Sequence, residues 1–221
     1  MTNSSKLALL FAAGLAIGVT LACGGGHAPT GGTCTGACTC SDTGCSCTSG
    51  QTCSLSSPDG GAADAGASNI SFDCSKNNTC QIDCGTNCTT HCANDTACTG
   101  SCTSGCDFGC TARSTCSLAL GSGSSATCEG TSGCMLEGGI DSGVSCGGGS
   151  DCTVGLISGT VQCTGTSTCH LECDGGPCTM SCSGDSTCSC SGKGCSLDCQ
   201  DGREPITCDG GVICGHGAAC P

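Results

Sequence analysis

Cysteine is the one residue type in this chain present in sufficient number to carry a chemistry of its own, at 33 of 221 residues. Paired thiols can hold a soft metal, form a redox-active disulfide or close structural bridges, and their spacing separates these uses. Two cysteines separated by five residues recur at Cys74/Cys80, Cys92/Cys98, Cys110/Cys116, Cys128/Cys134, Cys146/Cys152, Cys163/Cys169 and Cys182/Cys188. Nowhere are consecutive cysteines three apart, so the C-x-x-C unit of zinc ribbons, ferredoxin-type clusters and thioredoxin-like sites is missing from the sequence. C-x-C occurs at Cys38/Cys40, Cys45/Cys47 and Cys188/Cys190. The sequence holds no G-x-S-x-G, no H-E-x-x-H and no Gly-rich phosphate loop with its lysine. His91, His170 and His216 fall on expected strands or turns and His27 in a glycine-rich stretch, so none is assigned a catalytic or ligand role. The chemistry expected of the cysteines is structural, with no enzymatic activity, no cofactor and no metal.

The elements that must position these cysteines follow from the period. The first cysteine of successive pairs advances by 18, 18, 18, 18, 17 and 19 residues, which is a fixed-length structural repeat. In a strand, residues i, i+2 and i+4 share a face, as Cys80, Ile82 and Cys84 would, and likewise Cys169, Leu171 and Cys173. The middle position of this face reads Ile82, Gly100, Leu118, Leu136, Val154, Leu171, Cys190, and a second column, half a repeat on, reads Thr90, Phe108, Ala126, Val144, Val161, Met180, Leu197. The alternate parity is mostly polar, with Gln81, Thr99, Ser117, Met135, Thr153, His170 and Ser189 in the first series. Two short strands per repeat, apolar inward and polar outward, are therefore expected, joined by turns such as SKNNT, ANDTA, GTN and TSG. No stretch after Cys23 keeps a 3.6-residue apolar period, so helices are not expected. The expected fold is all-β, a narrow two-sided disulfide-stapled β-solenoid with coils stacked ~4.8 Å apart.

The second corner supplies a test of pairing. Cys84/Cys88 and Cys102/Cys106 give way together to Leu120/Ser124, Gly138/Ser142 and Leu156/Thr160, and the pair returns together at Cys173/Cys178. Joint loss is what bridges within one coil predict. Neighbours taken in order then add Cys190/Cys195, Cys199/Cys208 and Cys214/Cys220 to the seven C-x5-C pairs and the three second-corner pairs. A vertical ladder between coils is the alternative, and its spacing also suits a disulfide. A bridge closing so short a loop contributes about 2 kcal/mol in the chain-entropy account. Such bridges would substitute for a conventional core, since the chain has three Phe and no Trp or Tyr.

The chain divides into a signal peptide (1–22), a lipid-anchored tether (23–33), a Cys-rich irregular first coil (34–53), a linker or loop (54–73), the solenoid repeats (74–199) and a C-terminal cap (200–221). Lys6 and the apolar run Leu7 to Ala22 have the layout of a signal peptide. Thr20-Leu21-Ala22-Cys23 resembles the lipobox of bacterial lipoproteins, departing at Thr20 where that family carries an aliphatic residue. The resemblance implies lipidation at Cys23, and Gly24 after it, rather than Asp, implies outer-membrane or cell-surface placement. An ordinary secretory signal is the alternative, because Thr20 and Ala22 also fit a small-x-small cleavage site. Both export the protein, and lipidation leaves 32 of the 33 thiols, an even number.

Five basic against 18 acidic residues give a net charge of -13, with the acids scattered, which disfavours nucleic acid, and no nucleic-acid partner is expected. Calcium could sit at acidic turns around Asp174 or Asp209, although no EF-hand or RTX nonapeptide is present and solvated turn aspartates are the simpler reading. The repeat also resembles the disulfide-stapled β-solenoids of insect antifreeze proteins, which display Thr-x-Thr ranks. Here the rank is Thr79, Ala97, Thr115, Gly133, Asp151, Thr168, Thr187. The expected function is a structural or interaction scaffold of the cell envelope, held to the membrane by its N-terminal lipid and facing an envelope protein, surface protein or glycan. The alternatives are ligand or ice binding, and thiol-based metal sequestration resembling metallothioneins in cysteine content alone.

Overall fold

The computed structural model describes residues 33–35, 38–41, 44–47, 52–56 and 71–215. The expected signal peptide, Cys23, His27, His216 and Cys220 lie outside the described residues. The fold is an all-β parallel solenoid, and no helix occurs among the described residues. Its first face stacks β4 (Thr52–Ser56), β6 (Thr79–Thr86), β8 (Ala97–Ser104), β10 (Thr115–Leu120), β12 (Gly133–Gly138) and β14 (Asp151–Leu156). Its second face stacks β3 (Gly44–Cys47), β5 (Ser71–Ser75), β7 (Thr89–Ala93), β9 (Asp107–Cys110), β11 (Ser125–Cys128), β13 (Ser142–Cys146) and β15 (Gly159–Cys163).

The last two coils differ from the expected pair of short strands: β16 (Thr168–Cys182) and β17 (Thr187–Cys199) each run through both faces as one continuous strand. Cys169, Leu171 and Cys173 are buried on one side, as alternation requires, but the short strand expected around them does not end there. Cys169 instead lies at the start of a 15-residue strand, opened by Thr168, that carries on to Met180 and Cys182. The physical reason is the neighbouring coil, which is also extended through this corner. β16 and β17 stay paired from Thr168 with Thr187 to Cys182 with Cys199, interrupted by a shift in register between Asp174 and Cys178.

Registry follows the cysteines. Cys116 pairs with Cys98 and Cys134, Cys169 pairs with Cys152 and Cys188, and Leu118 pairs with Gly100 and Leu136, so identical positions stack. The 17-residue advance from Cys146 to Cys163 is absorbed at the second corner, where Ser142 pairs with Gly159. This corrects the expected equivalence of Thr160 with Ser142: Thr160 is exposed and pairs one position further on, with Gly143.

The core is a thin slab filled by both faces. Ile82, Leu118, Leu136, Val154 and Leu171 are buried from the first face, and Phe72, Phe108, Ala126, Val144, Val161 and Met180 from the second. Where the second-corner bridge is missing, Leu120 and Ser124 are buried in its place. In the next coil Gly138 leaves its space to the side chain of Leu156 from the coil above. The C-x5-C pairs Cys74–Cys80, Cys92–Cys98, Cys110–Cys116, Cys128–Cys134, Cys146–Cys152, Cys163–Cys169 and Cys182–Cys188 are bridged within their coils, with Cα atoms 6.2–6.6 Å apart. So are Cys84–Cys88, Cys102–Cys106, Cys173–Cys178 and Cys190–Cys195.

Pairing departs from the expected order at the C-terminal end. Cys199 bonds Cys214, not Cys208, so Cys214/Cys220 does not form either, and Cys208 is in a disulfide with neither Cys199 nor Cys214. The cause is a reversal of the chain. β18 (Ile206–Cys208) and β19 (Gly211–Cys214) form an antiparallel pair, and β19 runs antiparallel against β17, bringing Cys214 opposite Cys188. Once the chain turns back, the nearest cysteine in sequence is no longer the nearest in space. Arg203 completes this cap by donating to the carbonyls of Ser186 and Cys182 at 3.1 and 3.0 Å.

The N-terminal end is closed in a similar way. β2 (Cys38–Ser41) and β3 pair antiparallel, and β1 (Thr33–Thr35) runs antiparallel to β4. β3 and β4 themselves stack in parallel on β5 and β6, so the parallel stack includes strands before Cys74, and residues 57–70 of the expected linker or loop lie outside the described residues.

Candidate functional site

Three features of the described residues could carry function: the stack of bridges, the outward ranks of polar side chains, and a groove at the second corner.

Each bridge of the stack is set by a turn. The third residue of every C-x5-C unit is in the left-handed region: Lys76, Asn94, Ala112, Gly130, Gly148, Gly165 and Gly184, with φ between 54° and 76°. That residue reverses the chain and brings the two cysteines together, Cys163 to Cys169 at Gly165 for example. Two residues before the second cysteine lies a column that the alternation of apolar and polar residues does not announce: Asn78, Thr96, Ser114, Ser132, Ser150, Ser167 and Ser186, all buried. Thr96, Ser114, Ser132, Ser167 and Ser186 each donate a hydroxyl to the carbonyl three residues earlier, at 2.5–2.7 Å. A carbonyl turned inward by the left-handed residue is thereby satisfied inside the slab, as a buried acceptor requires. The signal was present in the sequence as an unbroken run of Asn, Thr and Ser at Cys minus two.

The bridges lie close to one another. Cys98 Sγ is within 4.8 Å of both sulfurs of the Cys74–Cys80 bridge, and the same holds for Cys116 with Cys92–Cys98, Cys134 with Cys110–Cys116, and Cys152 with Cys128–Cys134. At the second corner Cys106 stands in the same relation to Cys84–Cys88. Sulfurs in such groups have the spacing of a metal site, but the cysteines in these groups are all bonded into disulfides, and a disulfide sulfur is not a thiolate ligand.

The outward surface of the first face carries the rank Thr79, Ala97, Thr115, Gly133, Asp151, Thr168, Thr187. Its members from Thr79 onward are exposed except Gly133, which is half-buried. Ala97, Gly133 and Asp151 break the run of threonines. Hydrogen bonds tie outward side chains of successive coils together: Ser101 donates to Asp83 at 3.0 Å, and Ser125 to Asp107 at 2.8 Å. Arg113 grips Asp95 with two parallel bonds at 2.7 and 2.6 Å. The hydrogen bond from Arg113, and less so its charge, holds the Asp95 carboxyl below the ordinary carboxylate value, and Asp95 raises Arg113 in return.

Of the histidines, His91 and His170 are exposed on outward positions, and His170 Nδ1 lies 2.7 Å from Ser189 Oγ in the next coil. The groove, of about 460 Å³, is lined by Glu137, Gly138, Gly155, Leu156, Ile157, Glu172 and Asp174. Glu137, Gly155 and Glu172 are in register on three successive coils, so Gly155 leaves a gap between two carboxylates. Asp174 is thus brought to the carboxylate groove, whereas Asp209 is exposed between β18 and β19 and lines no part of it.

No protein-family model, curated protein or solved structure matches the chain.

Proposed function

We propose that this protein is a non-enzymatic, exported cell-envelope lipoprotein, a rigid rod that presents polar faces to an envelope protein, surface protein or glycan and is held to the membrane through lipid on Cys23. The observation that supports this most is that each coil from Cys74 to Cys199 has at least one buried bridge closing it. Disulfides at this density persist in oxidising compartments and are reduced in the cytosol. The stapled slab spends its interior on holding its own shape, and its recognition surface is then the outward ranks. The lipobox-like Thr20-Leu21-Ala22-Cys23 and the glycine-rich Gly24-Gly25-Gly26 that follows supply an anchor and a spacer.

Expression in a bacterial host with and without globomycin, followed by protease treatment of intact cells, tests the reading. The expected outcome is that globomycin leaves the precursor unprocessed and that protease reaches the mature chain on whole cells. Processing that ignores globomycin would assign the protein to the ordinary secretory route. An unprocessed cytoplasmic chain with free thiols would overturn export altogether.

A further inference from the structure

We propose that the bridge stack is an internal thiol–disulfide exchange ladder, in which a thiol opened in one coil attacks the bridge of the preceding coil and passes the open site along the rod. The observation is positional. In four consecutive coils the second cysteine of one coil lies within 4.8 Å of both sulfurs of the bridge before it: Cys98, Cys116, Cys134 and Cys152 against Cys74–Cys80, Cys92–Cys98, Cys110–Cys116 and Cys128–Cys134. The second cysteines are also in backbone register from coil to coil, Cys80 with Cys98, Cys98 with Cys116, Cys116 with Cys134 and Cys134 with Cys152. Parallel strands in register hold paired Cα atoms about 4.8 Å apart, inside the range a disulfide spans. The native within-coil bridges, at 6.2–6.6 Å, are inside it as well. Each interior second cysteine therefore has three partners within that range, the first cysteine of its own coil and the second cysteines of the coils on either side.

The steps balance without an added oxidant. When the coil opens transiently, a dithiol from solution reduces Cys146–Cys152, becoming a cyclic disulfide and leaving two thiols that are buried again as the coil closes. Cys152 loses its proton to water and its thiolate attacks Cys134 Sγ. The Cys134–Cys152 bond forms, Cys128–Cys134 breaks, and Cys128 leaves with the electron pair and takes up a proton. Cys146, now ionised, attacks Cys152 Sγ, restores Cys146–Cys152 and releases Cys134. The thiol pair has moved from one coil to the next, and the number of disulfides is unchanged. Cys128, Cys134, Cys146 and Cys152 are at most 5% exposed, so the partner nearest an opened thiol is the neighbouring bridge rather than a thiol in solution. The proposal stands on the bridge geometry alone and does not depend on the compartment.

The variant Cys146→Ala places a single thiol, Cys152, beside the Cys128–Cys134 bridge. It is purified at about pH 4, where a thiol of pKa ~8.5 does not ionise, shifted to about pH 8, and quenched with acid at intervals. Alkylation in acidic denaturant and mapping of linked peptides then locate the thiol. The expected result is that label moves with time from Cys152 to Cys128 while a Cys134–Cys152-linked peptide appears. Adding Cys128→Ala and Cys134→Ala leaves Cys163–Cys169, whose Cys169 is in register with Cys152, as the neighbouring acceptor, so label is expected on Cys152 and Cys163 and on no cysteine of a more distant coil. Label that stays on Cys152 beside an intact Cys128–Cys134 bridge overturns the proposal. So do linkages spread over distant coils, which would mean unfolding and random scrambling rather than exchange between neighbours.

Discussion

Thr90 shows what a single polar atom costs in so thin a slab. It stacks in register between Phe72 and Phe108, is buried, and its hydroxyl oxygen has no hydrogen-bond partner among the described residues. A buried hydroxyl without a partner forfeits its hydration and gains nothing in exchange. Thr90→Val keeps the shape and removes the polar atom, so it is expected to raise stability by about 1–2 kcal/mol, read as a higher midpoint in thermal or denaturant unfolding. Asp95 is the opposite case, an exposed group with an excellent partner. Its carboxyl is held below the ordinary carboxylate value by Arg113, so the ion pair's contribution is complete above that ordinary value and is lost as pH falls through the lowered one. A carboxyl titration followed by NMR is expected to place Asp95 below the ordinary aspartate value, and Arg113→Ala is expected to return it toward that value. The pair is solvent-exposed, so added salt should weaken the shift.

At the scale of the element, the first corner changes its construction along the rod. The early coils place two successive residues in the left-handed region, Lys76-Asn77, Asn94-Asp95 and Ala112-Arg113, whereas the later ones use one glycine each, Gly130, Gly148, Gly165 and Gly184. Asparagine and aspartate tolerate that region, and glycine is at ease in it, but alanine sets its Cβ against the following carbonyl. Ala112 therefore stores strain that the glycine corners do not. Ala112→Gly is expected to stabilise the chain by roughly 1 kcal/mol once the greater freedom of glycine in the unfolded chain is offset against it. Equilibrium unfolding in guanidinium checks this, and an unchanged or lower midpoint would show that the stack above and below relieves the strain at Ala112. The same logic explains the buried Asn, Thr and Ser column: a tight reversal turns carbonyls inward, and a short side chain with a donor is the smallest group that meets them.

For the whole molecule, a parallel stack has two open ends, each a row of unpaired backbone groups that invites further pairing. Here both are met by antiparallel strands, β1 and β2 at one end and β18 and β19 at the other. Arg203 adds three donors over carbonyls at the C-terminal end, to Gln200, Cys182 and Ser186. A chain ending at residue 199, with Cys199→Ser to avoid a free thiol, is expected to form concentration-dependent end-to-end oligomers by size-exclusion chromatography and sedimentation. If it remains monomeric, the β17 edge is protected by its own twist and side chains rather than by the cap.

What the sequence alone determined is the repeat and its inside. A period of 18 residues, two apolar positions per period and cysteines lost or kept in pairs suffice to specify a stapled two-sided solenoid, because strand alternation and short-loop disulfides are local properties that each coil satisfies by itself. The hydroxyl column at Cys minus two was also legible there, yet polar residues in a turn read as solvent-facing until the slab is seen to close over them. What only the tertiary structure decided lies where the chain stops repeating. The pairing of Cys199 with Cys214 depends on β19 reversing over β17, and no spacing encodes a reversal. The one-residue slip at Gly159 depends on which corner absorbs a shortened coil. The merging of two expected strands into one from Cys169 to Cys182 depends on β17 pairing along its length. The choice between bridges within a coil and a ladder between coils also belongs to the tertiary structure, because stacking in register brings each bridge close to the next cysteine along the rod and so leaves both pairings within reach.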